Sequence, residues 1–149
     1  MDAHLLPVLP CLCSSIRRAS RALTQMYELA LRPVGLRATQ FTVLQFLSIA
    51  GERTQGEMGE MLALDSTTLT RTLGIMKREG WIEIRRGDDG RERWVHLSKS
   101  GETLLNRALP LWENVQSRLR QKIGTQAWGQ LMQFSNQVTD LVLKEGDLS

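Results

Sequence analysis

Apolar positions along the chain recur first at helical and then at strand spacing. Between Pro10 and Leu31, Ile16, Leu23, Met26, Tyr27 and Ala30 fall on one side of a helix, with Arg17, Arg18 and Arg21 on the polar side. Pro33 and Gly35 end that segment. Phe41, Leu44 and Leu47 mark a second helix over Thr39 to Ala50, closed by Gly51. Thr54-Gln55-Gly56-Glu57 has the form of a capping box and opens a short helix through Met58, Met61 and Leu62. Asp65 or Ser66 caps the next helix, which runs to Glu79 with Leu69, Leu73 and Met76 at i, i+4 and i+7 and Gly80 as its stop. Two short helices joined by a tight connection are the outline of a helix-turn-helix.

The period then shortens. Trp81 to Arg85 and Arg93 to Leu97 are β-rich and near-alternating, and the turn formers of Arg86 to Glu92 lie between them, which predicts a β-hairpin with a charged tip. Ser98 caps a long helix whose apolar set is Leu105, Leu109, Trp112, Val115, Leu119 and Ile123, with a kink expected at Pro110. Gly124-Thr125 interrupts it, and a last helix uses Trp128, Leu131, Ser135, Val138 and Val142. The predicted architecture is mainly α with a small β-hairpin wing, an α+β arrangement. A winged helix-turn-helix over residues 36–98 is flanked by helical dimerisation segments at 8–35 and 99–146, all within one domain spanning 1–149.

With 42% apolar and 23% charged residues, the chain belongs among globular proteins, and 149 residues suffice for one core. The formal net charge of +3 permits nucleic acid as a partner without demonstrating it, so the placement of charge decides. Residues 66–98 carry seven Lys or Arg against five acids, and residues 10–40 carry five Arg against Glu28 alone. Affinity would therefore rest on a few placed cations, doubled by a dimer. The apolar stretch Leu5 to Cys13 is too short to span a bilayer and lacks a basic lead, so no membrane partner and a cytoplasmic location are expected. No phosphate-binding glycine loop and no pair of carboxylates placed for acid-base work occurs, so no enzyme and no cofactor are expected.

The second helix of a helix-turn-helix enters the major groove. Here it presents Ser66, Thr67, Thr68, Thr70, Arg71, Gly74 and Lys77 on the side opposite its apolar stripe. Small hydroxyls near its start allow close approach, and Arg71 is within reach of a phosphate or a guanine edge. At the hairpin tip Arg91 is placed for a minor groove, with Asp89 positioned to pair with it and fix its direction. The competing reading is a winged-helix protein-interaction module without DNA binding, and the joint presence of Arg71 and Arg91 argues against it.

Leu36 to Phe41, Leu64 to Arg71, Gly80-Trp81-Ile82, Asp89 to Arg93 and Leu97 to Gly101 together resemble the MarR family of bacterial transcription regulators, over nearly the whole chain. The resemblance implies double-stranded DNA as partner, with Arg37 joining the DNA-binding set. It also implies a two-fold homodimer built by the terminal helices, a palindromic operator and an effector pocket beside the dimer region; repression is the expected mode. Leu12-Cys13, Ala19-Ser20-Arg21 and Tyr27 are similar to the organic-hydroperoxide-sensing branch, in which a cysteine there is oxidised. Arg17 and Ala38 stand where that branch has two further tyrosines.

Cys13 and Tyr27 are roughly 21 Å apart along a straight helix, so a contact between them requires the partner subunit. Cys11 and Cys13 carry several readings. In an extended segment both thiols point to one side and suit a soft metal or metalloid. In a helix they diverge by about 200° and chelation within one chain fails. Cys13 near Arg17 fits a thiol of lowered pKa and so a redox signal, and both cysteines also fit plain packing at a dimer interface. His4 and His96 fall at no ligand spacing with them, so no metal is assigned.

Overall fold

Six α-helices and three short strands follow one another in the described residues, 10–144, of a computed structural model. They are α1 (Leu12–Leu31), α2 (Ala38–Ala50), β1 (Arg53–Thr54), α3 (Gln55–Met61), α4 (Ser66–Arg78), β2 (Ile82–Arg86), β3 (Arg93–Leu97), α5 (Lys99–Ile123) and α6 (Thr125–Lys144). A single 3-10 turn, Arg32–Val34, separates α1 from α2 and ends at Gly35, whose φ of 74° suits glycine. His4, the stretch 5–9 and the outermost ends of both predicted helical segments, 8–9 and 145–146, lie outside the described residues.

The helix-turn-helix forms as its capping residues dictate. The Thr54 hydroxyl accepts from the Glu57 amide and the Glu57 carboxylate accepts from the Thr54 amide, closing the capping box at the start of α3. Asp65, not Ser66, is the N-cap of α4: its carboxylate accepts from the Thr68 amide at 2.8 Å. Leu69, Leu73 and Met76 are buried together, as their spacing predicts. The connection between the helices, residues 62–65, turns through Ala63 at φ 50°, a left-handed position held by a residue other than glycine.

The expected hairpin is present and is joined by a strand that periodicity does not reveal. β1 pairs antiparallel with β3, Arg53 opposite Val95 and Thr54 opposite Trp94, so the sheet order is β1-β3-β2. Ile84 faces Val95 and Ile82 faces Leu97 across the hairpin, and Ile82 and Val95 seal the sheet against the core.

α5 runs unbroken through Pro110. Leu104, Leu105, Ala108 and Val115 are its buried apolar positions, while Ile123 is exposed. The helix packs against α1 and α2, and Leu104, Leu105 and Ala108 join the main core cluster. Its start is tied to the wing and to α4 by one residue. The Ser98 hydroxyl accepts from the Gly101 amide at 3.0 Å and donates to the Gly80 carbonyl at 2.6 Å, and the Ser98 amide donates to the Trp81 carbonyl. α6 has no buried residue: Leu131, Phe134, Leu141 and Val142 are each more than half exposed on one helical face.

Candidate nucleic-acid interface

One concave groove separates the start of α3 and the outer face of α4 from the wing. Thr54, Gln55, Ser66, Thr70, Arg91 and Arg93 line it. Ser66, Thr67, Thr70, Arg71 and Lys77 are exposed, as the amphipathic pattern of α4 requires. Neither Arg71, Lys77 nor Arg91 enters an ion pair among the described residues, so their charge is not spent inside the protein.

Thr68 has a different job from its neighbours. Its hydroxyl donates to the Asp65 carboxylate at 2.6 Å, so it completes the helix cap and leaves Ser66, Thr67 and Thr70 as the outward hydroxyls. That hydroxyl, with the Thr68 amide, holds the Asp65 carboxyl below its ordinary pKa and keeps the cap ionised. Thr70 is itself engaged from α3, because the Gln55 amide nitrogen donates to its oxygen at 2.9 Å.

In the wing, the Gly87 amide bonds the Glu92 carbonyl at 2.8 Å and the Gly90 amide bonds the Gly87 carbonyl at 2.9 Å. Asp89 acts on Arg91 through the backbone: its carboxylate accepts from the Arg91 amide at 3.0 Å, and no pairing with the guanidinium forms. The tip's course is thereby set while the Arg91 side chain stays outward. At the base of the wing, Arg85 makes two 2.8 Å bonds to Glu52 and lies over the Trp94 ring, 5.2 Å from its centroid. Arg85 thus braces the sheet, and its hydrogen bonds hold the Glu52 carboxyl below its usual range. His96 adds a 2.9 Å contact to Glu83 on the same face.

The structure does not bring Arg37 into the groove. Arg37 precedes α2, and its guanidinium pairs at 3.0 Å with Glu28 of α1, which also accepts from the Ala38 amide. Conversely, the predicted set lacks Gln55 and Arg93, which the groove includes. Gln55 is hidden in sequence by its place inside a capping box, and Arg93 by its place in a strand.

The thiols take neither of the two simple geometries. Cys11 is the extended N-cap of α1, with φ −110° and ψ 118°, and Cys13 lies in the first helical turn. Both are exposed. At Cys11 the amide and then the hydroxyl of Ser14 hold the thiol below its ordinary pKa without closing a full capping bond. Tyr27 lies further along the same helix, half-buried, and burial pushes its phenol up. Among the described residues no cluster of His, Cys, Asp or Glu suits a metal ion, and no helix is long and apolar enough to cross a membrane.

The MarR family matches residues 34–92, the segment that contains the groove. The organic hydroperoxide resistance transcriptional regulator of Bacillus subtilis is 32% identical over 101 residues, 67% of this chain and 69% of that one. The uncharacterised helix-turn-helix regulator YwoH of the same organism is 34% identical over 91 residues, 61% of this chain and 66% of its own length. The M. tuberculosis transcriptional regulator MosR in complex with DNA superposes with a TM-score of 0.81 at 34% identity, covering 89% of this chain and 96% of that chain. A MarR mutant from E. coli complexed with operator DNA has the same fold, with a TM-score of 0.76 at 22% identity over 85% of this chain and 92% of that chain. Family and fold are those of regulators, not enzymes: the chain belongs to the MarR family of winged helix-turn-helix transcriptional regulators.

Proposed function

We propose that this regulator is a homodimeric repressor that reads a palindromic operator with α4 and the wing and releases it on a thiol-reactive or small-molecule signal. The observation that carries the DNA-reading part is the convergence of outward hydroxyls and an unpaired Arg91 on one groove, with Arg71 exposed on α4. Residues 36–98 make the reading head, and the helices on either side make the dimer. Ser66, Thr67, Thr70 and Arg71 face the major groove, Arg91 the minor groove, and Lys77 the backbone.

The test is a mobility shift on the DNA upstream of the chain's own gene. Arg71→Ala is expected to weaken binding by roughly 1–3 kcal/mol per half-site. Arg91→Ala is expected to weaken it too and to reduce the preference for narrow, A·T-rich minor grooves. Both variants should keep wild-type helicity and dimer mass. Wild-type operator affinity in both would overturn the assignment of α4 and the wing as the reading elements, and failure of the wild type to bind any duplex would assign the winged helix to protein interaction instead.

The signal part rests on Cys11 and Cys13, and on a relative named for organic hydroperoxide resistance. A Cys13 or Cys11 thiolate attacks the O–O bond of a hydroperoxide, gains one oxygen as sulfenic acid and releases the alcohol after protonation. The added bulk and polarity lie at the start of α1, beside the proposed dimer region. A shift there moves two recognition helices that must match half-sites roughly 34–36 Å apart. The Cys11→Ser/Cys13→Ser variant is therefore expected to bind the operator normally and to resist release by cumene hydroperoxide and arsenite. The single variants separate the chemistries, because chelation needs both thiols and sulfenic acid formation needs one. Release of the double variant by these reagents, at wild-type concentrations, would reduce the cysteines to packing residues.

A further inference from the structure

We propose that Gln55 fixes the hydrogen-bond polarity of Thr70, so that Thr70 presents its hydroxyl proton to an acceptor atom on DNA. The inference rests on the DNA-reading role proposed above and adds a positioning residue to it. Threonines inside helices ordinarily turn the hydroxyl proton back onto their own helix. Here Thr42, Thr72, Thr103 and Thr139 all do so, each donating to the carbonyl four residues earlier at 2.8–3.0 Å. Thr70 makes no such bond to the Ser66 carbonyl. Its oxygen instead accepts from the Gln55 amide nitrogen at 2.9 Å, across from α3.

A hydroxyl has one proton and two lone pairs. With one lone pair taken by an NH2 donor that cannot accept, the proton must point away from Gln55. Thr70 is exposed and lines the same groove as Ser66 and Arg91, so outward is toward the groove. A Thr70 free to rotate would satisfy donors and acceptors alike and would discriminate little. Held by Gln55, it turns its proton outward and keeps a single lone pair, which favours purine N7, guanine O6, thymine O4 or a phosphate oxygen over the amino groups of adenine and cytosine.

The experiment uses duplexes that the wild-type protein selects from a randomised pool, together with every single base-pair change in them. Affinities are measured for the wild type, Gln55→Glu, Thr70→Val and the double variant, with Thr70→Ser in place of Thr70→Val as the control that keeps the hydroxyl. A carboxylate at 55 can only accept, so it draws the Thr70 proton back toward α3. It also repels DNA generally, and that part persists when Thr70 is valine. Gln55→Glu is therefore expected to cost about fivefold more affinity in the wild-type background than in Thr70→Val, the scale of one hydrogen bond. Thr70→Ser should retain the full coupling. Coupling that disappears when one base pair is changed places the acceptor on that base, and coupling that is the same on every duplex places it on phosphate. Equal losses in the two backgrounds would overturn the proposal while leaving DNA reading intact. Failure of the wild type to select any sequence would remove the reading on which it rests.

Discussion

Replacing Gly101 with alanine is expected to destabilise the protein by about 3 kcal/mol, the upper end of overpacking costs. Gly101 lies in the first turn of α5, where alanine normally gains helix propensity. A Cβ at this position would collide with the Trp81 carbonyl and stand 2.9 Å from Leu97 Cδ1. The colliding atom is backbone that already accepts from the Ser98 amide, so no side-chain rotation relieves the clash. Either α5 lifts off the wing or the Ser98 bonds to Gly80 and Gly101 break. Gly74 in α4 provides the contrast, since a Cβ there meets nothing within 4 Å. Gly74→Ala should raise stability by up to about 1 kcal/mol. Urea unfolding of the two variants reads the opposite signs directly. Equal, small changes in both would mean that α5 does not pack against Trp81 and Leu97 as closely as described. Since the same bonds join the end of α4 to α5, Gly101→Ala should also lower operator affinity even where most molecules remain folded.

The helix-turn-helix and its wing were legible because their signals are local. A capping box, an apolar triplet at i, i+4, i+7 and an alternating pair of strands each need only neighbours in sequence, and all three form. β1 escaped because two residues, Arg53 and Thr54, are too few to show alternation. The burial of α5 was read along too straight a stripe. Leu104 and Ala108 are buried in the core cluster although they fall outside that stripe, whereas Ile123, which falls on it, is exposed. The Arg37–Glu28 pair is not legible in sequence, because only the turn between α1 and α2 brings the two residues together. The role of Cys11 as helix cap depends on where α1 starts: the helix begins at Leu12, which brings Ser14 to the Cys11 sulfur and leaves Cys13 one turn before Arg17. Gln55 shows the limit most plainly, since its bond to Thr70 spans fifteen positions and depends on the crossing of two helices.

Leu131→Asp is expected to convert the protein from a dimer to a monomer at micromolar concentration and to lower operator affinity by at least about 100-fold, the avidity of linked half-sites. Leu131, Phe134, Leu141 and Val142 on α6 form one apolar face, and Leu12, Ile16 and Leu23 form another on α1. Nothing in the described chain covers either face. A second copy related by a two-fold axis would cover both, and would present the same substitution twice at the interface. Burying one leucine contributes about 1.5–3 kcal/mol. Burying an unpaired carboxylate in its place costs several kcal/mol per ion, so the pair of substitutions exceeds what a stable interface of ordinary size can absorb. In the isolated subunit Leu131 is 52% exposed, so the fold itself should lose little, and far-UV circular dichroism should stay unchanged. Ile49→Asp is the matched control: Ile49 is 82% exposed on α2, which carries neither face, and its substitution should leave sedimentation and operator binding as in the wild type. A wild type that sediments as a monomer and still binds the full operator would refute the dimer. A Leu131→Asp protein that remains dimeric would move the interface off α6.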